Sequence, residues 1–422
     1  MKTIFAPNQS VLHRVPRSRR VLAIVGDTQV GLWVVRSLGM HGLTVFSVCM
    51  SDRGLAAHSR YSSGAWAIES HPTSVAFIDE VETLARQLDV GAIMTIAEGY
   101  HQALIRGRDR FEPEIAVLSP PADAFAKATD KHFMHGLCVE LGIPVAKGTT
   151  LDKLMEAGGR ELQFPLVMRT SRQNDPATNK LAPWKAAYAE DQAQLERAYR
   201  NVEGFANNVI VQEYHPGVED HVQILMHRGE AFMEGEYIGE HHMPLAGGVT
   251  VQRVSCRHEP LISDAVRLLK AIDWDGVAGV QFHYDPTTDK YIFLEINPRF
   301  IGGLPTVIMA GFHAPFLLWQ SHFEPDEMVR PAYRRGLRTR ILGGDANWMF
   351  GMLRGDALPP GQRHVGKWSA VTQFLWNCGP WTKDDSFSLR DIKPFFVDFA
   401  QMVKRLRSKG FDIIGTPQTP EE

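Results

Sequence analysis

The stretch Tyr291–Phe300 constrains the fold of this chain more than any other, because it has the pattern of a strand that ends in polar groups. Side chains alternate between the two faces of an extended strand. This alternation predicts Glu295 and Asn297 on the same face as Phe293, with an apolar layer behind them. Arg299 follows directly after the strand. A carboxylate, an amide oxygen and a guanidinium this close together suit a triphosphate bound to a metal ion.

A second strand, Gly276–Asp285, precedes this one and predicts a β-hairpin. If the turn consists of residues 286–290, Gln281 lies directly opposite Glu295. Cross-strand partners are about 5 Å apart, so Gln281, Glu295 and Asn297 are predicted to offer oxygen ligands to one Mg²⁺ ion. The alternative is an ordinary half-buried sheet whose polar residues face water.

The segments Gly276–Asp285 and Leu294–Phe300 resemble the ATP-grasp superfamily, in particular its carboxylate-amine ligase branch. Other segments follow in the order of that family, so the resemblance covers roughly residues 20–325. It implies ATP and Mg²⁺ as cofactors, and a small-molecule carboxylate and a small-molecule amine as substrates. The implied fold is α/β, an ATP-grasp fold with a leading Rossmann-like (pre-ATP-grasp) domain and a C-terminal extension.

The composition is that of a globular protein, with 44% hydrophobic and 22% charged residues in a chain long enough for two or three domains. A formal charge of −3 and a pI near 6.6 give no basic surface, so no nucleic-acid partner is expected. No run approaches the roughly 18 apolar residues of a membrane span. The four cysteines lack a Cys-x-x-Cys pair, which indicates a reducing, cytoplasmic location.

Four regions are predicted along the chain. Residues 1–20 contain four arginines and are expected to form a flexible basic leader. Residues 21–118 alternate between strand-like and helix-like segments, which predicts a parallel sheet covered by helices. A proline pair then opens residues 119–325, the predicted ATP-grasp core, and residues 326–422 form the C-terminal extension.

The resemblance implies that cationic residues contact the nucleotide phosphates. Lys131 matches a family lysine that follows an aspartate, although alone it also fits a solvated helix residue. Arg169 stands where the family ordinarily has a second ATP lysine, and it replaces a compact point charge with a planar fork. Lys185 is a further candidate at the far end of a polar loop. Arg299 and Arg169 are expected to be catalytic, because they would neutralise charge on the transferred phosphate.

The segment Val209–Gly217 resembles the family hinge that binds adenine. The nucleotide-binding residues implied there are Gln212, Glu213, Tyr214 and His215. A carboxylate a few residues further on is expected to hold the ribose hydroxyls, and the spacing does not separate Glu219 from Asp220. The alternative for this segment is a hairpin turn with solvated acids.

Two sets of arginines outside these motifs are further candidates for anion binding. Arg253 follows the glycine pair at 247–248, which resembles the family's glycines near the triphosphate and acceptor. A basic run in the C-terminal extension predicts either a solvated face or a clamp for an anionic substrate. Its members are Arg330, Arg334, Arg335, Arg338 and Arg340.

These features predict an ATP-dependent ligase that joins a carboxylate to an amine through an acyl phosphate and releases ADP and phosphate. The alternatives are an ATP-grasp phosphotransferase and a catalytically silent nucleotide-binding protein. Gln281 bears on the choice, because the family usually has Glu or Asp at that position.

Overall fold

The structure is a computed structural model that describes residues 1–8, 14–159, 161–170 and 186–409. Lys185, one of the predicted phosphate contacts, lies outside these residues. The strands are β1 Lys2–Phe5, β2 Arg20–Ile24, β3 Thr44–Cys49, β4 Ser62–Ala67, β5 Ala92–Thr95, β6 Ala116–Val117, β7 Gly148–Thr150, β8 Leu166–Thr170, β9 Ala186–Ala189, β10 Val209–Glu213, β11 Val218–His227, β12 Glu230–Met243, β13 Val249–Cys256, β14 Gly276–Asp285, β15 Lys290–Asn297, β16 Arg338–Arg340 and β17 Thr382–Asp384.

The helices of the described residues connect these strands and cover the sheets. They are α1 Gln29–Met40, α2 Val75–Gln87, α3 Glu98–Arg106, α4 Ala122–Thr129, α5 Lys131–Leu141, α6 Leu151–Glu156, α7 Gln192–Val202, α8 Glu259–Ala271, α9 Leu304–Met309, α10 Ala314–Phe323, α11 Leu342–Arg354, α12 Lys367–Trp376 and α13 Lys393–Lys409.

The first sheet confirms the predicted alternation of strands and helices. Its strand order is β1-β4-β3-β2-β5-β6, and all neighbours pair in parallel except β1, which runs antiparallel to β4. Every residue of β2 and β3 is buried, as expected for a parallel sheet with helices on both faces. Helix α1 covers one face, and α2 and α3 cover the other.

The prediction of a flexible leader is wrong for the described residues before β2. Strand β1 pairs with β4, and the Met1 ammonium lies 3.2 Å from the Glu80 carboxylate. Arg20 is buried and donates to the carboxylate of Asp89 at 2.8 Å. An edge strand presents unpaired backbone groups, and β1 uses those of β4.

A small antiparallel sheet, in the order β7-β10-β8-β9, forms a separate layer with α6 and α7. It has its own apolar core, to which both helices contribute. The cleft described below lies between this sheet and the hairpin of β14 and β15.

The third sheet has seven strands in the order β15-β14-β11-β12-β13-β16-β17. One face packs against α8, with contributions from α4 and α5. The other face packs against α9 and α10, which also contact α1 of the first sheet. The central strands are therefore covered on both sides, whereas polar side chains remain on one face at the β15 end.

The segment from Ala122 to Leu141 forms two helices, with Asp130 between them. Asp130 has an extended backbone (φ −85°, ψ 101°), and its carboxylate accepts hydrogen bonds from the amides of His132 and Phe133. An aspartate that caps a helix in this way starts a new helix at the next residue. The second helix ends at Gly142, which has a φ of +67°.

The C-terminal extension adds to the edge of the large sheet. Strand β16 pairs with β13, and β17 runs parallel to β16. Two buried ion pairs hold the segment that follows β17. Arg253 of β13 lies 2.9 Å from Asp385, and Arg36 of α1 lies 2.9 Å from Asp391. The extension thus contacts both the first and the third sheet.

Among the described residues, no helix combines the length and the apolar character that crossing a membrane requires.

Candidate functional site

The hairpin of β14 and β15 has the predicted register at its functional end, since Gln281 pairs with Glu295. The loop is one residue shorter than predicted, because Lys290 already pairs with Asp285. The register shifts between Gln281 and Phe282, where β15 has the extra residue Leu294. This β-bulge restores the predicted pairing at Gln281, because it adds one residue to a single strand.

The bulge also changes which side chains share a face. Phe293 and Ile296 both belong to the buried core under α8, so Phe293 does not share the face of Glu295 as the strict alternation predicted. Glu295 and Asn297 do lie together, and the Asn297 amide nitrogen donates to the Glu295 carboxylate at 3.3 Å. The polar end of β15 is therefore as predicted, although its apolar layer is not.

Three cations act on the Glu295 carboxylate. The ammonium of Lys131 lies 3.6 Å from it, and the guanidinium groups of Arg169 and Arg299 act over longer range. Partial burial by itself would raise the pKa of Glu295, but these charges together with the bond from Asn297 lower it below its usual value. Glu295 is thus an anion in a cationic corner.

Lys131 owes its position to the break between α4 and α5. It is the first residue of α5, directly after the capping residue Asp130. In an uninterrupted helix Lys131 would continue along the axis of α4. The break at Asp130 instead starts a new helix beside β15. The sequence feature that implied a phosphate contact, an aspartate followed by a lysine, is therefore a helix start.

Arg169 lies on β8 of the small sheet, across the cleft from β15. Its guanidinium donates to the side-chain oxygen of Gln212 on the neighbouring strand β10, at 3.2 Å. An open cleft lies between the two sheets. Its lining includes Lys131, His132, His135, Arg169, Gln212 and Leu294.

The predicted hinge residues are in place at the end of β10, although several of their polar groups already have partners. The amides of Glu213 and Tyr214 donate to the carbonyls of Lys147 and Pro165, at 2.9 and 2.8 Å. The Glu213 carboxylate accepts from the backbone amide of Gln163 at 3.0 Å. These two amides therefore hold the small sheet together.

His215 and Tyr214 connect the hinge to the large sheet. The His215 carbonyl accepts a hydrogen bond from Nδ1 of His283 at 2.7 Å. The Tyr214 ring lies 6.2 Å from the ring of His283 and 5.5 Å from that of Tyr188 on β9. Aromatic groups thus line the boundary between the two sheets.

The structure separates Glu219 from Asp220, which the sequence spacing leaves open. Neighbouring residues of β11 face opposite sides of the sheet, and Glu219 is paired with His283 on the side of Gln281. Asp220 is fully buried on the side of α8, where it contacts His258 at 3.1 Å. The prediction of Asp220 as a nucleotide ligand is therefore wrong, because its side chain lies on the other side of the sheet.

Glu219 is surrounded by polar groups from neighbouring strands. Its Oε2 atom lies 3.3 Å from His221 and 3.6 Å from His242, and it accepts a hydrogen bond from Thr250 at 3.2 Å. Burial would raise the pKa of Glu219, but the two imidazoles lower it well below its usual value. His221 also pairs with Gln281 across the sheet.

His221 and His242 were not predicted as site residues from the sequence. The period-two alternation of β11 was an available signal, because it places His221 on the face of Glu219. No such signal was available for His242, because two register shifts around His241 break the alternation of β12.

Arg253 is not an anion contact as predicted. It is fully buried, and its guanidinium bonds to Asp385 at 2.9 Å and to the Thr250 carbonyl at 3.1 Å. In the basic run, Arg338 pairs with Glu240 at 2.6 Å and Arg340 pairs with buried Asp345 at 3.0 Å.

Arg330 of the same run contacts Glu234 of β12. Three of the five arginines thus bind acids of this chain. They form neither a uniformly solvated face nor a clamp for an anionic substrate.

A small sheet and a larger antiparallel sheet that enclose a polar cleft, after a leading α/β domain, define an ATP-grasp fold. Solved structures share it. The biotin carboxylase domain of Hydrogenobacter thermophilus 2-oxoglutarate carboxylase, in complex with MgADP and bicarbonate, has a TM-score of 0.57 at 16% identity. The match covers 76% of this chain and 73% of that one. An ADP complex of N5-carboxyaminoimidazole ribonucleotide synthetase has a TM-score of 0.57 at 12% identity, over 85% and 97% of the two chains.

Sequence comparisons agree with the fold. The family described as "ATP-grasp in the biosynthetic pathway with Ter operon" matches residues 205–343, which include Glu219, Gln281 and Glu295. The N-terminal section of the carbamoyl phosphate synthase large chain from Methanopyrus kandleri is 26% identical over 203 residues, or 44% of this chain. That match spans 34% of the relative's length. The resemblance to the ATP-grasp superfamily is thereby confirmed.

Proposed function

We propose that this protein is an ATP-dependent ligase that joins a carboxylate to an amine through an acyl phosphate and releases ADP and phosphate. The observation that carries the proposal is the Glu295 carboxylate, which lies opposite Gln281 and is held ionised by Lys131, Arg169 and Arg299. An anion surrounded by cations at the edge of a cleft suits a ligand that has both a divalent metal and phosphate groups.

The donor atoms of this corner fit Mg²⁺. Glu295 supplies one anionic ligand, and Gln281 and Asn297 supply neutral oxygens, which a small hard cation accepts together with phosphate oxygens. Because the amide nitrogen of Asn297 donates to Glu295, its amide oxygen is the atom that would bind the ion. When bound, the ion would neutralise charge on the phosphate oxygens.

The cationic residues would position the phosphates from both sides of the cleft. Arg169 projects from the small sheet, and Lys131 and Arg299 lie beside β15. Lys131 and Glu295 are 3.6 Å apart. A nucleotide phosphate that enters between them would give Lys131 a shorter contact with a phosphate oxygen. We assign the ribose hydroxyls to Glu219, and the adenine to the region from Gln212 to His215.

The proposed reaction needs no nucleophilic side chain. A substrate carboxylate oxygen attacks the γ-phosphorus of ATP, and the bond to the bridging oxygen of ADP breaks. The amine nitrogen then attacks the acyl carbon, phosphate leaves with the electrons of the carbon–oxygen bond, and the amine proton passes to solvent or phosphate. The residues contribute by orienting the reactants and by stabilising charge. The relatives support this chemistry, since one of them binds MgADP together with the small acid bicarbonate.

The test combines binding with turnover. We expect Mg·ATP to raise the thermal midpoint, because a ligand at one hundred times its Kd stabilises a native protein by about 2.7 kcal/mol. ADP and phosphate should then form when a panel of acids and amines is supplied together. An unchanged midpoint and no calorimetric heat would exclude a nucleotide site.

The same assay separates the two alternatives. Binding without ADP under any pair of substrates would identify a silent nucleotide-binding protein. ADP and a phosphorylated acid that accumulate equally with and without amine would identify a phosphotransferase.

A further inference from the structure

A second polar cluster lies on the opposite face of the large sheet, under α8. Asp220, Glu236, Cys256 and His258 each direct one metal-binding atom toward the others, and these four atoms lie within 4.8 Å of one another. Asp220 and Glu236 are buried, with exposed fractions of 0% and 1%. The side chain of His258 is 27% exposed, which leaves the cluster a route to solvent.

The strand pairing explains why these residues meet. Glu236 of β12 is the direct cross-strand partner of Cys256 of β13. Asp220 lies on β11, the other neighbour of β12, and faces the same side. His258 follows Cys256 by two residues and is the N-terminal capping residue of α8. Four ligands therefore come from rigid, adjacent elements.

The buried carboxyl groups of Asp220 and Glu236 meet at one imidazole. His258 Nδ1 lies 2.6 Å from Glu236 and 3.1 Å from Asp220. In addition, Oδ1 of Asp220 is buried and has no hydrogen-bond partner among the described residues. A buried acceptor without a donor is costly, whereas a cation would satisfy it.

We propose that Asp220, Glu236, Cys256 and His258 form a structural zinc site. A thiolate, an imidazole and two carboxylates are a ligand set that Zn²⁺ accepts in tetrahedral geometry, with metal–ligand distances of about 2.0–2.3 Å. Binding releases the protons of the Cys256 thiol and of the His258 ring nitrogen to solvent, because the metal takes the deprotonated forms. The dication would bind the thiolate and both carboxylates, and it would join β11, β12 and β13 to the start of α8.

This site is separate from the proposed nucleotide site. Asp220 and Glu219 are neighbours in sequence but lie on opposite faces of the sheet. Zinc at the cluster would hold β11 in place, and β11 also carries Glu219 and His221. The ligands of the proposed zinc site include sulfur and nitrogen, which Mg²⁺ does not favour. Metal binding there should therefore be independent of Mg·ATP.

The first experiment measures zinc in the full chain. Protein stripped with a chelator and then incubated with Zn²⁺ should retain one zinc ion per chain after gel filtration. Cys256→Ser and His258→Gln should each weaken zinc binding by at least about 100-fold, the upper range for loss of an outer-shell partner alone. The matched control is Cys378→Ser, which removes an exposed free cysteine. Wild-type protein that retains no zinc would overturn the proposal.

The second experiment identifies the ligands without relying on a variant that must fold. Co²⁺ added to the stripped wild-type protein should give the visible bands of a tetrahedral complex and a thiolate-to-cobalt charge-transfer band. Cys378→Ser should keep both, as should Glu295→Gln, which alters only the nucleotide side. Circular dichroism establishes whether Cys256→Ser is folded. A charge-transfer band that persists in folded Cys256→Ser, or a wild-type spectrum without one, would overturn the assignment.

Discussion

The two ends of the seven-stranded sheet use charged residues in different ways. At the β15 end, Lys131 and Glu295 are about one third exposed, and 3.6 Å separates their charged groups. Toward the β17 end, Arg253 of β13 and Asp385, which directly follows β17, have 0% exposed side chains and lie 2.9 Å apart. The β15 end thus has a hydrated ion pair with a long contact. The opposite end has a desolvated ion pair with a short contact.

This difference indicates different roles. A loose, hydrated contact is easily replaced by a ligand, because little free energy is lost when the pair separates. A buried pair cannot separate without leaving a charge in the protein interior. The β15 end is therefore suited to binding, whereas Arg253 and Asp385, like Arg36 and Asp391, fix the C-terminal extension to the rest of the chain.

The largest effect is expected at a buried pair. Asp391 bonds to the Arg36 guanidinium at 2.9 Å, and it also accepts from the Ser59 hydroxyl and the Arg60 amide. Asp391→Asn leaves the Arg36 charge buried without a counterion, so we expect a loss of about 3–5 kcal/mol in the free energy of unfolding. Urea denaturation measures it.

The control for that variant is Glu82→Gln, which affects a surface pair with Arg86 and Arg110. Its effect should be far smaller, because exposed pairs contribute little. Equal effects of the two substitutions would show that burial does not distinguish these pairs.

The next largest effect is on activity. Glu295→Gln keeps the shape of the side chain but removes the anionic ligand, so we expect Mg²⁺-dependent turnover to fall by on the order of 100-fold or more. Because Glu295 is partly exposed, the fold should remain intact. Steady-state kinetics and circular dichroism measure the two properties. Glu240→Gln, at an exposed pair with Arg338 on the same sheet, is the control. Full activity in Glu295→Gln would remove Glu295 from the metal site.

An effect that is smaller per pH unit is expected at His101 of α3, which lies near Arg299. Burial, together with the nearby charges of Arg299 and Arg108, lowers the pKa of His101 from 6.5 to about 3. The unfolded chain therefore takes up a proton first as the pH falls. The stability that neutral His101 contributes is complete above pH 6.5 and is lost between pH 6.5 and 3.

Each pH unit in that range should cost up to about 1.4 kcal/mol. Urea denaturation at several pH values should show a shallower acid dependence for His101→Gln than for wild type. His313→Gln is a matched comparison, since burial also lowers the pKa of His313, to about 4. An acid dependence that neither variant changes would show that other groups cause it.

Local patterns predicted much of the fold. The alternation of strands and helices in the first sheet depends on residues close in sequence, and so does the pairing of Gln281 with Glu295. The bulge at Leu294 was not predictable, because nothing in the local pattern distinguishes an extra strand residue from an extra loop residue. It moved Phe293 to the other face without changing the polar pair.

Contacts between residues that are far apart in the sequence could not be predicted from local patterns. Arg36 and Asp391 are 355 positions apart, and Arg253 and Asp385 are 132 apart. Nothing in the spacing of such residues tells a buried structural ion pair from an anion-binding arginine. The same limit applied to Asp220. It contacts His258 on the face of the sheet opposite Glu219.

The smallest effect, and the sharpest for the proposed metal site, is expected from Gln281→Glu. Gln281 lies between Glu295 and His221 in neighbouring strands, at the position where the ATP-grasp family usually has an acid. A glutamate there would add a second anionic ligand, so the Mg²⁺ concentration for half-maximal ATP binding should fall several-fold, on the order of 1 kcal/mol. Without metal the two adjacent carboxylates would repel each other.

The thermal midpoint of Gln281→Glu should therefore be lower than that of wild type in a chelator and higher in Mg·ATP, and this reversal is the measurement that matters. Gln281→Leu is the control, because it removes the oxygen and should raise the Mg²⁺ requirement. A uniform loss of stability, with the Mg²⁺ dependence unchanged in both variants, would show that Gln281 does not bind the metal. In that case Glu295 would be the single strong ligand of the site, and the contrast between the two ends of the sheet would depend on Glu295 and its three cations alone.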